Sequence, residues 1–196
     1  MRILEATVLA AVVILAPACR EGDVAASPRA GDVPTSAAVP TTETELTAFR
    51  SGMTEPRFLA GPANRDSLVH LFQQALARRD TAVLDRLQIT REEFAYLYYP
   101  DSKMSHPPYE LGPDVMWIQI QSQSDRGLRR LVAKYTERSF PIRELVCQPP
   151  ERQNRVVIHQ CGVRTSGAAG AKPEQLFGSV IERDGRFKFV GYANRL

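Results

Sequence analysis

Between residues 64 and 99 the apolar positions recur at helical spacing. Leu68, Leu71, Phe72, Ala75 and Leu76 fall on one face of a helix. Asn64 or Asp66 can cap its start, and Arg78 with Arg79 suits the negative end of its dipole. Asp80 is placed to cap a second, short helix carrying Val83, Leu84 and Leu87. A third begins at Thr90, where Thr90 and Glu93 have capping-box spacing. It buries Phe94, Leu97 and Tyr98 and stops at Pro100. After a loop over 100–112, Pro113 suits a first helical position with Asp114 beside it, opening a fourth helix that reaches Tyr135. Gly127 and the polar stretch Gln119–Asp125 predict a break or kink near 122–127. Val115 to Gln121 also alternates, which leaves a strand there as the alternative.

From about Phe140 the period shortens to two. Strands are predicted over 140–147, 155–164, 175–183 and 186–193. Asp184-Gly185 is a two-residue hairpin signal that pairs Arg183 with Arg186, Val180 with Phe189 and Phe177 with Tyr192. One face of that hairpin then carries Leu176, Val180, Phe187 and Phe189; the other carries Phe177, Ile181, Val190 and Tyr192. Two apolar faces call for helices on one side and a lined concavity or a dimer partner on the other. The expected class is α+β, with N-terminal helices packed on a bent antiparallel sheet of about four strands.

The first 62 residues read differently. Arg2 and the apolar run Ala6–Ala18 precede Cys19, with Ala16, Pro17 and Ala18 before it. A positive start, a short apolar run and small residues before a cut describe an export signal. The cysteine at its end makes residues 1–18 resemble a bacterial lipoprotein signal peptide, which implies acylation of Cys19 and a membrane anchor. A plain secretory signal is the alternative, and an uncleaved anchor the third. Arg20 after the cysteine implies outer-membrane sorting, on its periplasmic face, if the source has two membranes. Residues 19–62, with Pro28, Pro34, Pro40, Pro56 and Pro62 among small polar residues, are expected to form a disordered tether. Residues 63–196 would then be the globular domain.

The whole chain has 196 residues, 43% of them hydrophobic and 24% charged, with a formal net charge of +3. That suffices for one domain and excludes wholesale disorder. Acidic side chains outnumber basic ones in the tether, and the balance reverses from residue 63. The excess is too small and scattered to indicate a nucleic-acid partner. Arg126, Arg130, Lys134 and Arg138 fall at four-residue steps and read either as a solvated helix face or as a stripe for acidic headgroups or glycan.

The stretch Ala75-Leu76-Ala77-Arg78-Arg79-Asp80-Thr81-Ala82-Val83-Leu84 resembles the paired-helix opening of nuclear-transport-factor-2-like domains. The segment Gly178–Val190 is similar to their final hairpin. The resemblance spans about residues 63–196 and implies a cone-shaped sheet with a pocket at its mouth. Members of that family include isomerases, dehydratases, cyclases and non-catalytic binding proteins. No family site maps residue by residue onto this chain.

Cys147 and Cys161 form an even pair once Cys19 is set aside, and a disulfide suits an oxidising compartment. A tight hairpin centred on Pro149–Asn154 would instead set Cys147 opposite Val156. The bond therefore requires a shifted register, a strong bend or pairing through other strands. The candidate chemistry clusters after Pro100. Asp101 and His106 could accept a proton, and His159 could point into the cone. Tyr98, Tyr99, Tyr109, Trp117 and Tyr192 are the candidate pocket aromatics. The bland alternative is a Pro-bounded loop packing its rings on the helices, with a satisfied core histidine. The three histidines have no ligand spacing, so no metal and no cofactor is expected. Glycine-rich phosphate loops, GxSxG and HExxH are absent from the sequence. Three readings stand: a lipid-anchored domain binding a small apolar ligand or an envelope protein without catalysis; a cone-fold enzyme of proton transfer; or a structural protein that forms a homodimer through its sheet.

Overall fold

The computed structural model describes residues 41–57, 59–135, 142–165 and 172–194. The predicted signal peptide, Cys19, about half of the tether and Arg138 lie outside them. The fold is α+β, with helices at the start and antiparallel strands at the end.

The first correction concerns the tether. Thr41 caps a helix α1 (Thr42–Phe49) whose last residue, Phe49, is buried. Leu59 is buried as well, and the carbonyl of Pro62 accepts from the Phe187 N–H at 3.0 Å. Proline-rich composition marked this stretch as tether. Its few large side chains nevertheless anchor on the domain, helped by Arg50, which donates to the Ala95 carbonyl, and by the Ala60 N–H, which donates to Glu93.

Helix α2 (Arg65–Arg78) is capped by Asn64, whose side chain accepts from the Ser67 N–H at 2.7 Å. It buries Leu68, Val69, Phe72, Ala75 and Leu76; Leu71 is exposed, and Val69 takes its expected place on the inner face. Asp80 caps α3 (Thr81–Arg86). Thr90 and Glu93 close the predicted capping box on α4 (Arg91–Glu93). The chain then widens into a π-helical turn, Phe94–Tyr98, and tightens to a 3-10 turn, Tyr99–Asp101, at Pro100.

Helix α5 (Pro113–Tyr135) runs without a break. This corrects both the predicted kink at 122–127 and the strand alternative for Val115–Gln121. Gly127 is there for proximity: a Cβ built on it would lie 1.6 Å from the Tyr192 carbonyl oxygen. Ser124, in the polar stretch, is buried. It donates to Gln88 Oε1 and accepts from the Tyr192 N–H at 2.9 Å. The polar residues thus dock the C-terminal segment onto the helix.

The four expected strands resolve into six. Strands β1 (Ile142–Cys147) and β2 (Glu151–Arg152) form one arm of a long hairpin, and β3 (Val157–His159) and β4 (Cys161–Thr165) form the other. Strand β1 pairs with β4 in a two-stranded sheet, and β2 joins a four-stranded sheet of order β2-β3-β5-β6, with β5 at Val180–Arg183 and β6 at Arg186–Phe189. Between the pairs Cys147↔Cys161 and Glu151↔Ile158 the first arm holds one residue more than the second. That bulge falls on Pro149-Pro150, which have no N–H to give a ladder. The turn itself is at Asn154-Arg155, closed by Gln153 N–H to the Val156 carbonyl at 2.9 Å. It lies further along than the hairpin centred on Pro149–Asn154, and the shifted register sets Cys147 directly opposite Cys161.

In the β5–β6 hairpin Asp184 and Gly185 both have positive φ, 51° and 70°, as a primed turn requires. Arg183 faces Arg186 and Val180 faces Phe189 in the predicted register. Alternation assigns His159, Val180, Glu182, Phe187 and Phe189 to one face, and Ile158, Ile181 and Lys188 to the other. The first face packs on α2, α3 and α5, where Phe72 meets Phe177, Phe189 and Tyr192 at ring separations of 5.6–5.7 Å. Phe177 and Tyr192 therefore belong to this core and not to the opposite face, because they lie beyond the paired residues of β5 and β6.

The second face was expected to be a hollow or a dimer surface. It is filled. Phe49, Leu59, Phe94, Leu97, Tyr99 and Met116 cover Ile158, Ile181 and Val190. A second helical layer completes the burial, so described residues cover both faces of the four-stranded sheet.

Candidate functional site

Of the candidates around Pro100, Tyr98, Tyr99 and Trp117 gather around Phe94 within the core, apart from Asp101, His106 and Tyr109. Tyr99 is buried, and its hydroxyl donates to the Leu111 carbonyl at 2.8 Å. Burial, with Glu45 nearby, pushes that hydroxyl up to about 12. Tyr192 is likewise buried and donates to the Leu84 carbonyl at 2.8 Å, and burial holds its pKa well above the ordinary value. Tyr98 and Trp117 pack on Phe94, whereas Tyr109 is exposed. His106 is exposed, with Nε2 3.0 Å from the Pro100 carbonyl. Asp101 accepts from Asn154 Nδ2, the Arg155 N–H and Arg155 Nη1. Its carboxylate fastens the Asn154-Arg155 turn to the end of the π-helical segment, which leaves it bound in structure and not facing a cavity.

His159 is different. It sits on β3 on the face toward α2, 5% exposed, with Phe187 6.0 Å away ring to ring. Nε2 lies 2.8 Å from Glu182 Oε2 on the neighbouring strand β5, and Nδ1 lies 3.4 Å from Arg65 Nη1 at the start of α2. A guanidinium only donates, so Nδ1 is the acceptor and Nε2 carries the proton toward Glu182. The imidazole is thereby a spacer between a cation and an anion, with both nitrogens occupied.

Arg65 and Glu182 line a cleft of about 710 Å³ between the start of α2 and the hairpin arm of β1. Asn64, Asp66 and Gln148 add amide and carboxylate groups, and Leu145 and Phe187 supply apolar wall. The Cys147–Cys161 disulfide borders it, with Cα atoms 4.0 Å apart across the ladder. A second hollow of about 300 Å³ shares Asp66 and Leu145 and continues between α2 and β1. Among the described residues Arg65 has no carboxylate partner, and Glu182 Oε1 has no cation or hydrogen-bond donor. Beside the Asp66 carboxylate, the cleft therefore presents the Arg65 guanidinium and a Glu182 carboxylate oxygen at a separation fixed by the ring between them.

Of the expected site residues Cys147 lines this place, and His159 lies behind it, held between the lining residues Arg65 and Glu182. Arg65 and Glu182 were not singled out from sequence. Glu182 carried a readable signal: strict alternation puts it on the same face as Val180, an acid where the pattern asks for an apolar side chain. Arg65 carried none, because its role depends on a strand 94 residues away. Among the described residues no group of three or more His, Cys, Asp or Glu side chains converges as metal ligands would. Comparison with known protein families, with curated proteins and with solved structures finds no match to this chain.

Proposed function

We propose that the chain is an exported envelope protein, lipid-anchored through Cys19, whose α+β domain binds a short polar ligand with an anionic and a cationic end, of the amino-acid or peptide kind. The observation that carries the reading is the Arg65–His159–Glu182 array, which offers a guanidinium and a carboxylate oxygen to one cleft. A guanidinium recognises a carboxylate through paired donors, and a carboxylate recognises an ammonium group. Leu145 and Phe187 beside them suit a small side chain. Proton transfer at His159 would first require freeing Nδ1 from Arg65 or Nε2 from Glu182, so binding is the role the array serves most directly.

Export is supported by the directly opposed cysteines, since a disulfide persists where thiols are not kept reduced. Outer-membrane placement rests on Arg20 alone. The nuclear-transport-factor-2-like reading is supported by the α2–α3 pair and the closing β5–β6 hairpin, while the filled second face departs from an open cone.

The test is a titration of the isotopically labelled full chain with alanyl-alanine, a zwitterionic dipeptide. The expected result is saturable shifts of the Asn64, Arg65, Asp66 and Gln148 amides. Shifts spread evenly over the surface, or none at millimolar dipeptide, would overturn the reading.

A further inference from the structure

A second groove lies on the far end of α2. It measures about 440 Å³ and runs between the α2–α3 corner and α5. Its floor is Leu128 and Val132, both packed against the main core, so the apolar surface is fixed in place. Its rim is Arg79, Thr81, Arg129 and Asp125. Arg126 precedes Arg129 by one turn on the same side of α5.

Three observations set this corner apart. Arg79 ends α2 in the left-handed region, φ 54°, where glycine is the ordinary residue. The chain accepts a side chain there, and that side chain is a guanidinium at the groove's mouth. Arg79, Arg126 and Arg129 form no ion pair among the described residues, whereas Arg130 donates to the Asn194 carbonyl and Lys134 pairs with Glu174. Of the stripe read from sequence, Arg130 and Lys134 are thus engaged in the fold, whereas Arg126 stands on α5 beside Arg129, which lines the apolar groove together with Arg79. Finally, the neighbouring Asp80 is occupied by the Val83 N–H, which leaves Asp125 as the one acid on the rim.

We infer that this groove docks an anionic phospholipid, the arginines on its phosphate and the first acyl carbons on Leu128 and Val132. A soluble phosphate would have no use for the floor, and a neutral lipid none for the rim. Cationic side chains beside an apolar strip are what an anionic membrane surface attracts. The inference does not depend on the Arg65–Glu182 cleft. It gives a tethered domain a second contact with the surface that carries its anchor.

The experiment follows methyl resonances of the full chain during titration with dioctanoyl phosphatidylglycerol below its micelle concentration. Dioctanoyl phosphatidylcholine and inorganic phosphate are run separately. Saturable shifts at Leu128 and Val132 are expected with the glycerol lipid, with weaker ones for the choline lipid and none for phosphate. Replacing both Arg79→Gln and Arg129→Gln should weaken the glycerol lipid roughly tenfold or more. Equal response to both lipids, an equal response to phosphate alone, or an unchanged affinity in the double variant would each overturn the inference. Cleft amides report separately, so failure at one site is distinguishable from failure at the other.

Discussion

Lys188 Nζ lies 2.9 Å from Glu93 Oε2, and both side chains are 3% exposed. The pair crosses from β6 to the helical layer over the second sheet face, where Ile181 and Val190 are its apolar surroundings. Glu93 also accepts from the Thr90 N–H and the Ala60 N–H, so its carboxylate joins α4, the 59–62 segment and the sheet.

Removing one partner leaves the other charge buried alone. Lys188→Met should cost about 3–5 kcal/mol in urea denaturation. Glu93→Leu should cost more, since it also strips two backbone donors of their acceptor. The double variant should recover part of the loss. A Lys188→Met protein as stable as the parent would contradict this role for the pair.

Gly127 makes a second, independent prediction. A methyl group there would meet the Tyr192 carbonyl, whose position is held by Ser124 and Asn194. Gly127→Ala should therefore destabilise by about 1–3 kcal/mol, the range of overpacking, despite alanine's better helix propensity. Increased stability would mean the C-terminal segment does not sit against α5.

How much of this was legible depended on distance along the chain. The Thr90–Glu93 capping box and the Asp184-Gly185 turn are local signals, and both stand where the pattern placed them. The α+β class follows from the change of period after residue 140. Gly127 was misread as a breaker because its partner carbonyl is far along the sequence and no local rule reveals it. The segment 41–62 was misread because composition weighs all residues equally, while packing depends on a few such as Phe49 and Leu59. At the cleft, His159 was legible as an oddity, but its meaning lies in Arg65 and Glu182, which three separate elements bring together.

The disulfide should contribute about 3 kcal/mol by restricting the unfolded chain, given a separation of 14 residues. Denaturant midpoints with and without reductant, and in Cys147→Ser with Cys161→Ser, measure this. Equal midpoints would show that the β1–β4 register holds without the bond.

Alkaline stability should be limited by the buried tyrosines. Tyr99 is raised from 10 to about 12 by burial and by Glu45, and Tyr192 well above 10 by burial and by Asp85. The folded state holds these protons more tightly than the unfolded one. Their contribution is therefore complete below pH 10 and lost as pH climbs toward 12. Unfolding free energy should fall through that interval, together with a delayed rise in phenolate absorbance that Tyr99→Phe reduces. A flat profile from pH 10 to 12 would contradict the buried positions.

The most direct measurement is calorimetric titration of the full chain, Arg65→Gln and Glu182→Gln with alanyl-alanine and with its doubly capped counterpart. The free dipeptide should bind the parent, lose roughly tenfold in affinity in each variant, and outcompete the capped form, as charge-assisted contacts at both ends require. Equal binding of free and capped peptide, or variants that bind like the parent, would show that the Arg65–His159–Glu182 array is not the ligand site.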